Sequence, residues 1–300
     1  MKTPTQRLRR TEQRNPRSRG LDRLSTRDLV KAIHREDATV ARAVGRELAP
    51  ISRAVDMIAR AFSRGGRLIY VGAGTSGRLA TLDASECPPT FGVSPLLVQA
   101  IIAGGRRALT SAVEGAEDSA ADGRRDLAAK HLTSRDVVVG ITASGSTPYV
   151  LGALEFARTR GAGTIGVTAN RRSPIGVLAR ITVAPDTRAE VIAGSTRMKA
   201  GTAQKLVLNL LSTAAMIRAG HVYDNWMVDV ALTNQKLRQR GLRILEEAAG
   251  ANAKQAENAL KQSKNSLRVA LVMLKTGATA AEARRRLQRT RGNLRRALEE

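Results

Sequence analysis

The chain has 300 residues, 42% of them apolar and only 2% aromatic, and 50 Lys and Arg against 26 Asp and Glu give it a net charge of +24. That length suits one large domain or two modest ones, and so few aromatics exclude an aromatic-rich β-sandwich in favour of aliphatic helices on a parallel sheet. The single cysteine, Cys87, excludes an intrachain disulfide, and no apolar run is long enough to span a bilayer. The basic N-terminus lacks the apolar stretch of a secretory signal, so a cytoplasmic protein with no membrane partner is expected.

In chain order, residues 1–20 mix Arg, Pro, Gln and Ser without apolar period and read as a disordered basic tail. Residues 21–60 read as N-terminal helices: Ser25 or Thr26 caps the first, and Val40, Val44, Leu48, Ile51, Val55 and Ile58 give 37–62 a helical stripe. From Arg67 the pattern changes to strand, loop, helix. RLIYV, LLVQAII, DVVVGIT, TIGVT and RITVA are five buried strands, with helices expected over 111–130, 148–160 and 198–219. Pro88-Pro89 reads as a helix stop. The expected fold is therefore α/β: a doubly wound five-stranded parallel sheet over 61–225, flanked by N-terminal helices, with a C-terminal helical module over 226–300 broken at Gly241, Gly250, Gly277 and Gly292.

Ligands of such sheets sit beyond the carboxyl ends of the strands. The loop after the first strand, YVGAGTSGR, carries Gly72, Gly74 and Gly77 in the G-x-G-x-x-G spacing of a dinucleotide site. That reading fails, because the next strand ends in Ile101-Ile102-Ala103-Gly104 with no acid for a ribose, and no Walker G-K-[ST] is present. Hydroxyls recur instead. Gly74-Thr75-Ser76, Ser144-Gly145-Ser146-Thr147 and Ser195-Thr196 form three Ser/Thr/Gly loops next to helix starts, the chemistry that cradles a phosphate monoester. Arg197, Lys199 and Arg78 are candidate cations for an anionic substrate group. No RNA-module aromatics or zinc-finger spacing accompany the high charge, so nucleic acid is not the expected partner.

These loops resemble the sugar isomerase domain family. DASECPPTFG, IAGG…AVEGAEDS, ASGSTPYV and STRMKAGTAQKLVLNLLSTAAMI are similar to the N-acetylmuramic acid 6-phosphate etherases, from about Leu21 to the end. The related glucokinase regulatory protein shares the domain architecture. The resemblance implies cleavage of a lactyl ether on a phosphosugar, with no cofactor and no metal, by a homodimer whose site lies near the interface. It implies Glu86 of SECPP as the proton donor and Glu117 of EGAED as the second catalytic residue, the C2 base. Glu114 is the nearest decoy, and Glu86 is expected to be partly buried beside Pro88 and Pro89. In the family the third-strand loop reads SGRTPY, whereas Ser146 stands here in place of the arginine, so another cation has to supply that charge. The basic tail before Leu21 has no expected counterpart. Cys87 reads as a buried filler and His221 as structural. Two alternatives remain at this level: a phosphosugar-sensing regulator without turnover, and a phosphosugar isomerase using the same C2 deprotonation.

Overall fold

The computed structural model describes residues 10–230, 232, 234–290 and 292–300. Three helices, α1 (Thr26–Asp37), α2 (Val40–Gly45) and α3 (Leu48–Ser63), come first. Then follow β1 (Leu68–Gly72), α4 (Gly74–Phe91), β2 (Val98–Ile102), α5 (Ala120–Ala128), β3 (Val137–Ile141), α6 (Pro148–Thr159), β4 (Gly163–Val167), α7 (Ile175–Leu178), β5 (Ile181–Val183) and α8 (Lys199–Ala219). A hairpin, β6 (Val222–Tyr223) and β7 (Trp226–Met227), leads into α9 (Gln235–Ala249), α10 (Ala253–Gln262), α11 (Leu267–Thr276), α12 (Ala280–Arg289) and α13 (Leu294–Glu299). The chain divides into two compact units, Met1–Ala84 with Leu96–Ser212, and Ser85–Pro95 with Thr213–Glu300. No helix among the described residues is long and apolar enough to cross a membrane.

In the first unit all five strands are parallel, in the order β2-β1-β3-β4-β5. The connection changes direction between β1 and β3, and that switch point is where open α/β sheets bind ligands. Because strand side chains alternate, Ile69, Val71 and Val138 face one side, where Leu127 of α5 and Val150, Ala153 and Leu154 of α6 cover them. Helix α3 packs on β1, β3 and β5. Each Val, Leu and Ile side chain among them contributes roughly 1.5–3 kcal/mol on burial. All five expected strands are present to within a residue or two.

Several expectations are corrected. Residues 10–20 are ordered, while residues 1–9 lie outside the described residues. Two 3-10 turns, Arg10–Glu12 and Pro16–Ser18, dock through Thr11 and Asn15, which are both buried. Asn15 Nδ2 donates to Glu36 Oε2 at 2.8 Å and to the carbonyl of Ala189 at 3.3 Å. The expected helix over 37–62 breaks at Arg46-Glu47. Glu47 turns inward, where its carboxylate accepts the Ala184 N–H at 3.1 Å and pairs with Arg171. Pro88 and Pro89 do not stop α4, which runs on to Phe91. They remove the N–H groups that would reach Ala84 and Ser85, and Gly92 closes the end by donating to Pro88 at 2.9 Å. The expected helix over 111–130 shortens to α5, and Thr110–Ser119 is loop with Ser119 as N-cap.

In the second unit an aliphatic cluster including Leu245, Leu260, Leu271 and Leu294 holds the helices together. Side-chain caps start each of them: Asn234, Asn252, Ser266, Thr279 and Asn293. Gly241 lies inside α9 instead of breaking it, tight against Leu232. His221 Nδ1 shares a hydrogen bond with Asp229 Oδ2 at 2.8 Å, and Arg268 pairs with the same carboxylate, so this histidine is built into a structural knot.

Candidate active site

The loop after β1 closes so tightly that a Cβ on Gly72 would stand 2.7 Å from the Gly77 nitrogen, and one on Gly77 would stand 2.5 Å from Ile102. The two glycines allow α4 to start directly on the strand. Thr75 and Ser76 therefore lie in the first turn of α4. The Ser76 hydroxyl is buried and donates to Gln204 Oε1 of α8 at 2.9 Å. Gln204 went unnoticed in the sequence.

The loop after β3 is a knot of hydroxyls. Thr142 Oγ1 bonds Ser144 Oγ at 3.1 Å and Thr147 Oγ1 at 2.8 Å, and Ser146 Oγ donates to Ser144 Oγ at 3.1 Å. Gly145, at φ +75°, leaves no room for a side chain against Ser173 and Thr168. Asn170 Nδ2 donates to the carbonyls of Ala143 and Ser144 at 3.1 and 3.3 Å, fixing this loop from the end of β4.

The third loop behaves differently from the sequence expectation. Ser195 and Thr196 sit in turns, their N–H groups donating to Ile192 and Gly194. Arg197 is exposed and makes no ion pair among the described residues. Lys199, expected as a substrate cation, is 1% exposed, and its Nζ donates to Glu36 Oε2 at 2.6 Å. The start of α8 is already occupied, since the Glu190 carboxylate accepts the N–H groups of Lys199 and Ala200 at 3.0 and 2.9 Å. Burial pushes the Glu190 carboxyl up, and these two N–H groups offset that only in part. An acid inside the apolar run Ala189–Ile192, just before a helix start, was the only available sign of it.

The three loops do meet at the first turns of α8. Ala143, Ala169 and Ala200 form one buried cluster, and the Cβ position of Gly201 lies 3.5 Å from Thr75. Glu117 joins them through its backbone: its carbonyl accepts the Tyr149 N–H at 3.0 Å, at the start of α6 directly after the hydroxyl loop. Its side chain is exposed, as is that of Glu114. Arg78 is a structural clamp here. Its Nε donates to the carbonyls of Ala108 and Leu109 at 2.9 and 3.2 Å, and its terminal nitrogen reaches Ser111 at 3.2 Å, tying the segment that precedes Glu117 to α4. Changing Arg78 to Ala should speed amide exchange over 105–111 by tenfold or more, measured by mass spectrometry. Unchanged exchange would show that the clamp holds nothing.

Glu86 belongs to the segment Ser85–Pro95 of the second unit. It is exposed, contrary to expectation. Along α4 the buried positions are Ser76, Gly77, Ala80, Asp83, Ala84, Cys87 and Phe91, a helical stripe that turns Glu86 outward. Cys87 is buried, as expected of a filler.

Residues 50–158 match the glucokinase regulatory protein N-terminal SIS domain, and residues 109–214 match the SIS domain. The chain is 50% identical to "N-acetylmuramic acid 6-phosphate etherase 1" of Bacillus licheniformis over 96% of this chain and 95% of the relative. It is 52% identical to the N-acetylmuramic acid 6-phosphate etherase of Serratia proteamaculans over 96% of this chain and 97% of the relative. The chain belongs to the N-acetylmuramic acid 6-phosphate etherase family. For this etherase-family chain, 96% coverage amounts to 288 residues, more than the 280 from Leu21 onward, so the likeness reaches into the basic N-terminal segment as well. Among solved structures, a phosphoheptose isomerase from Francisella tularensis shares the fold at a TM-score of 0.52 and 18% identity, over 65% of this chain and all of that one.

Proposed function

We infer that this protein is a carbon–oxygen lyase that removes D-lactate from N-acetylmuramic acid 6-phosphate and leaves N-acetylglucosamine 6-phosphate, in cytoplasmic recycling of cell-wall sugars. An ether oxygen is a poor leaving group, so direct hydrolysis is slow. Opening the sugar ring exposes an aldehyde at C1, which acidifies the proton on C2. Glu117 takes that proton, the electron pair forms the C2–C3 double bond, and the C3–O bond breaks as Glu86 protonates the departing lactate oxygen. Water then adds at C3 and a proton returns to C2. Thr75, Ser76, Ser144, Ser146, Thr147, Ser195 and Thr196, with Gly74 and Gly145 shaping their loops, surround the phosphosugar. Arg197 is the exposed cation of this set.

What supports the reading is that the chain is about half identical to named etherases, and that the Tyr149 N–H donates to the Glu117 carbonyl, which anchors the backbone of that residue at the start of α6 next to the hydroxyl loop. We also infer a homodimer, in keeping with the exposed Leu82 of α4 and Leu210 of α8. Incubation with N-acetylmuramic acid 6-phosphate should release one D-lactate per sugar, read by a lactate dehydrogenase couple. Phosphosugar binding without lactate release would mean a sensor instead.

A further inference from the structure

Beyond the carboxyl ends of β3, β4 and β5 lies a cavity of about 1250 Å³ within the first unit, with Ser144 in its wall. Six arginines line it, Arg10, Arg14, Arg17, Arg171, Arg172 and Arg188, against three carboxylates. The carboxylates are all engaged. Asp186 pairs with Arg10, Glu47 with Arg171, and Glu36 with both Lys199 and Arg17, the latter at 3.6 Å. The guanidinium groups of Arg14, Arg172 and Arg188 are left without an ion pair or hydrogen bond among the described residues. Three uncompensated cations around one concavity focus a positive field where a single exposed arginine would be screened.

The wall they share with the hydroxyl loop is rigid. Ser173 packs against Gly145, the Ile175 N–H donates to the Gly145 carbonyl at 3.0 Å, and Asn170 holds Ala143 and Ser144 from the same segment that carries Arg171 and Arg172. The hydroxyl loop has no cation of its own, since position 146 is a serine turned onto Ser144. We propose that Arg14, Arg172 and Arg188 supply the positive charge for the phosphoryl group that the Ser144 loop holds, so that an anionic phosphosugar is gripped from the β4–β5 side. This rests on the reading of that loop as the phosphate cradle. A guanidinium suits the task, because its planar fork matches phosphate oxygens and it stays charged at any working pH.

The test is calorimetric titration with N-acetylglucosamine 6-phosphate and with N-acetylglucosamine. All three arginines are exposed, so Arg14→Gln, Arg172→Gln and Arg188→Gln can be combined in one folded protein, checked by its thermal melt. The triple variant should bind the phosphosugar at least tenfold more weakly, with a flatter salt dependence. The unphosphorylated sugar should not distinguish it from the parent. Adding Ser146→Arg to the triple variant should recover part of the lost affinity. If the triple variant binds like the parent while Ser144→Ala binds weakly, the arginines have no part and only the hydroxyl cradle stands. If neither change weakens binding, the cradle and the proposal fall together.

Discussion

Glu117→Gln is expected to lower kcat by about 10²–10⁴-fold, the range a positioned general base supplies, and to leave KM nearly unchanged. The amide keeps the size of the side chain and cannot accept a proton at C2. The backbone bond to Tyr149 is untouched, because it uses the carbonyl of residue 117 and not its side chain. The decisive readout is exchange of the C2 proton with solvent deuterium in the phosphosugar product, which should vanish in Glu117→Gln and survive in Glu114→Gln. Exchange that persists in Glu117→Gln would remove it as the base. Glu86→Gln should give the complementary pattern: lactate release falls, while C2 exchange continues. A substrate whose C3 group departs without a proton should restore its turnover. If it does not, Glu86 is not the acid.

The largest stability effect is expected at the ion pair of Glu36 and Lys199. Both are buried, and Glu36 also accepts from Asn15 and faces Arg17. Glu36→Gln strands the Lys199 ammonium at 1% exposure and should cost about 3–5 kcal/mol in urea unfolding. Lys199→Met leaves the carboxylate with Asn15 and Arg17 and should cost less. The pair Glu36→Gln with Lys199→Met strands neither charge and should recover most of the loss; strict additivity would show that the two groups are not coupled. Burial works to raise the Glu36 carboxyl, but bonds from Lys199 and Asn15 and the charges of Lys199 and Arg17 outweigh it and hold it below its usual value. A depressed carboxylate stabilises the fold fully above its unfolded pKa, and that share is lost as pH falls through the folded value. Acid unfolding should therefore lose this component in Glu36→Gln. Glu190, pushed up by burial, has the opposite sign: its contribution favours the fold in acid and declines as pH rises through its raised pKa.

The strands were legible because each is a short apolar run ended by Gly, Ala or Thr, and α6 and α8 because both are rich in small and aliphatic residues with no internal break. The hydroxyl loops were legible because their composition is unusual at strand ends. What stayed hidden depends on contacts distant in sequence. Nothing local in the sequence marks Glu36, Glu47 or Glu190 as buried, yet each is held by partners nine to more than a hundred residues away. Lys199 read as a cation for substrate for the same reason. The order of residues 10–20 depends on Asn15 reaching Glu36, which no local composition reveals. The passage of α4 through Pro88-Pro89 and the shortening of 111–130 to α5 are cases where tertiary context overrides propensity.

On the proposed role of Glu117, one backbone bond would bear on catalysis as well as on placement. The peptide of Glu117 hangs from the first turn of α6, and the loop feeding that turn is the one that would grasp the phosphoryl group. On the proposed roles, grip and proton abstraction would share a single mount. Binding energy gathered at the far end of the sugar can be spent aligning the base over C2, so a substrate stripped of its phosphate would forfeit turnover as well as affinity.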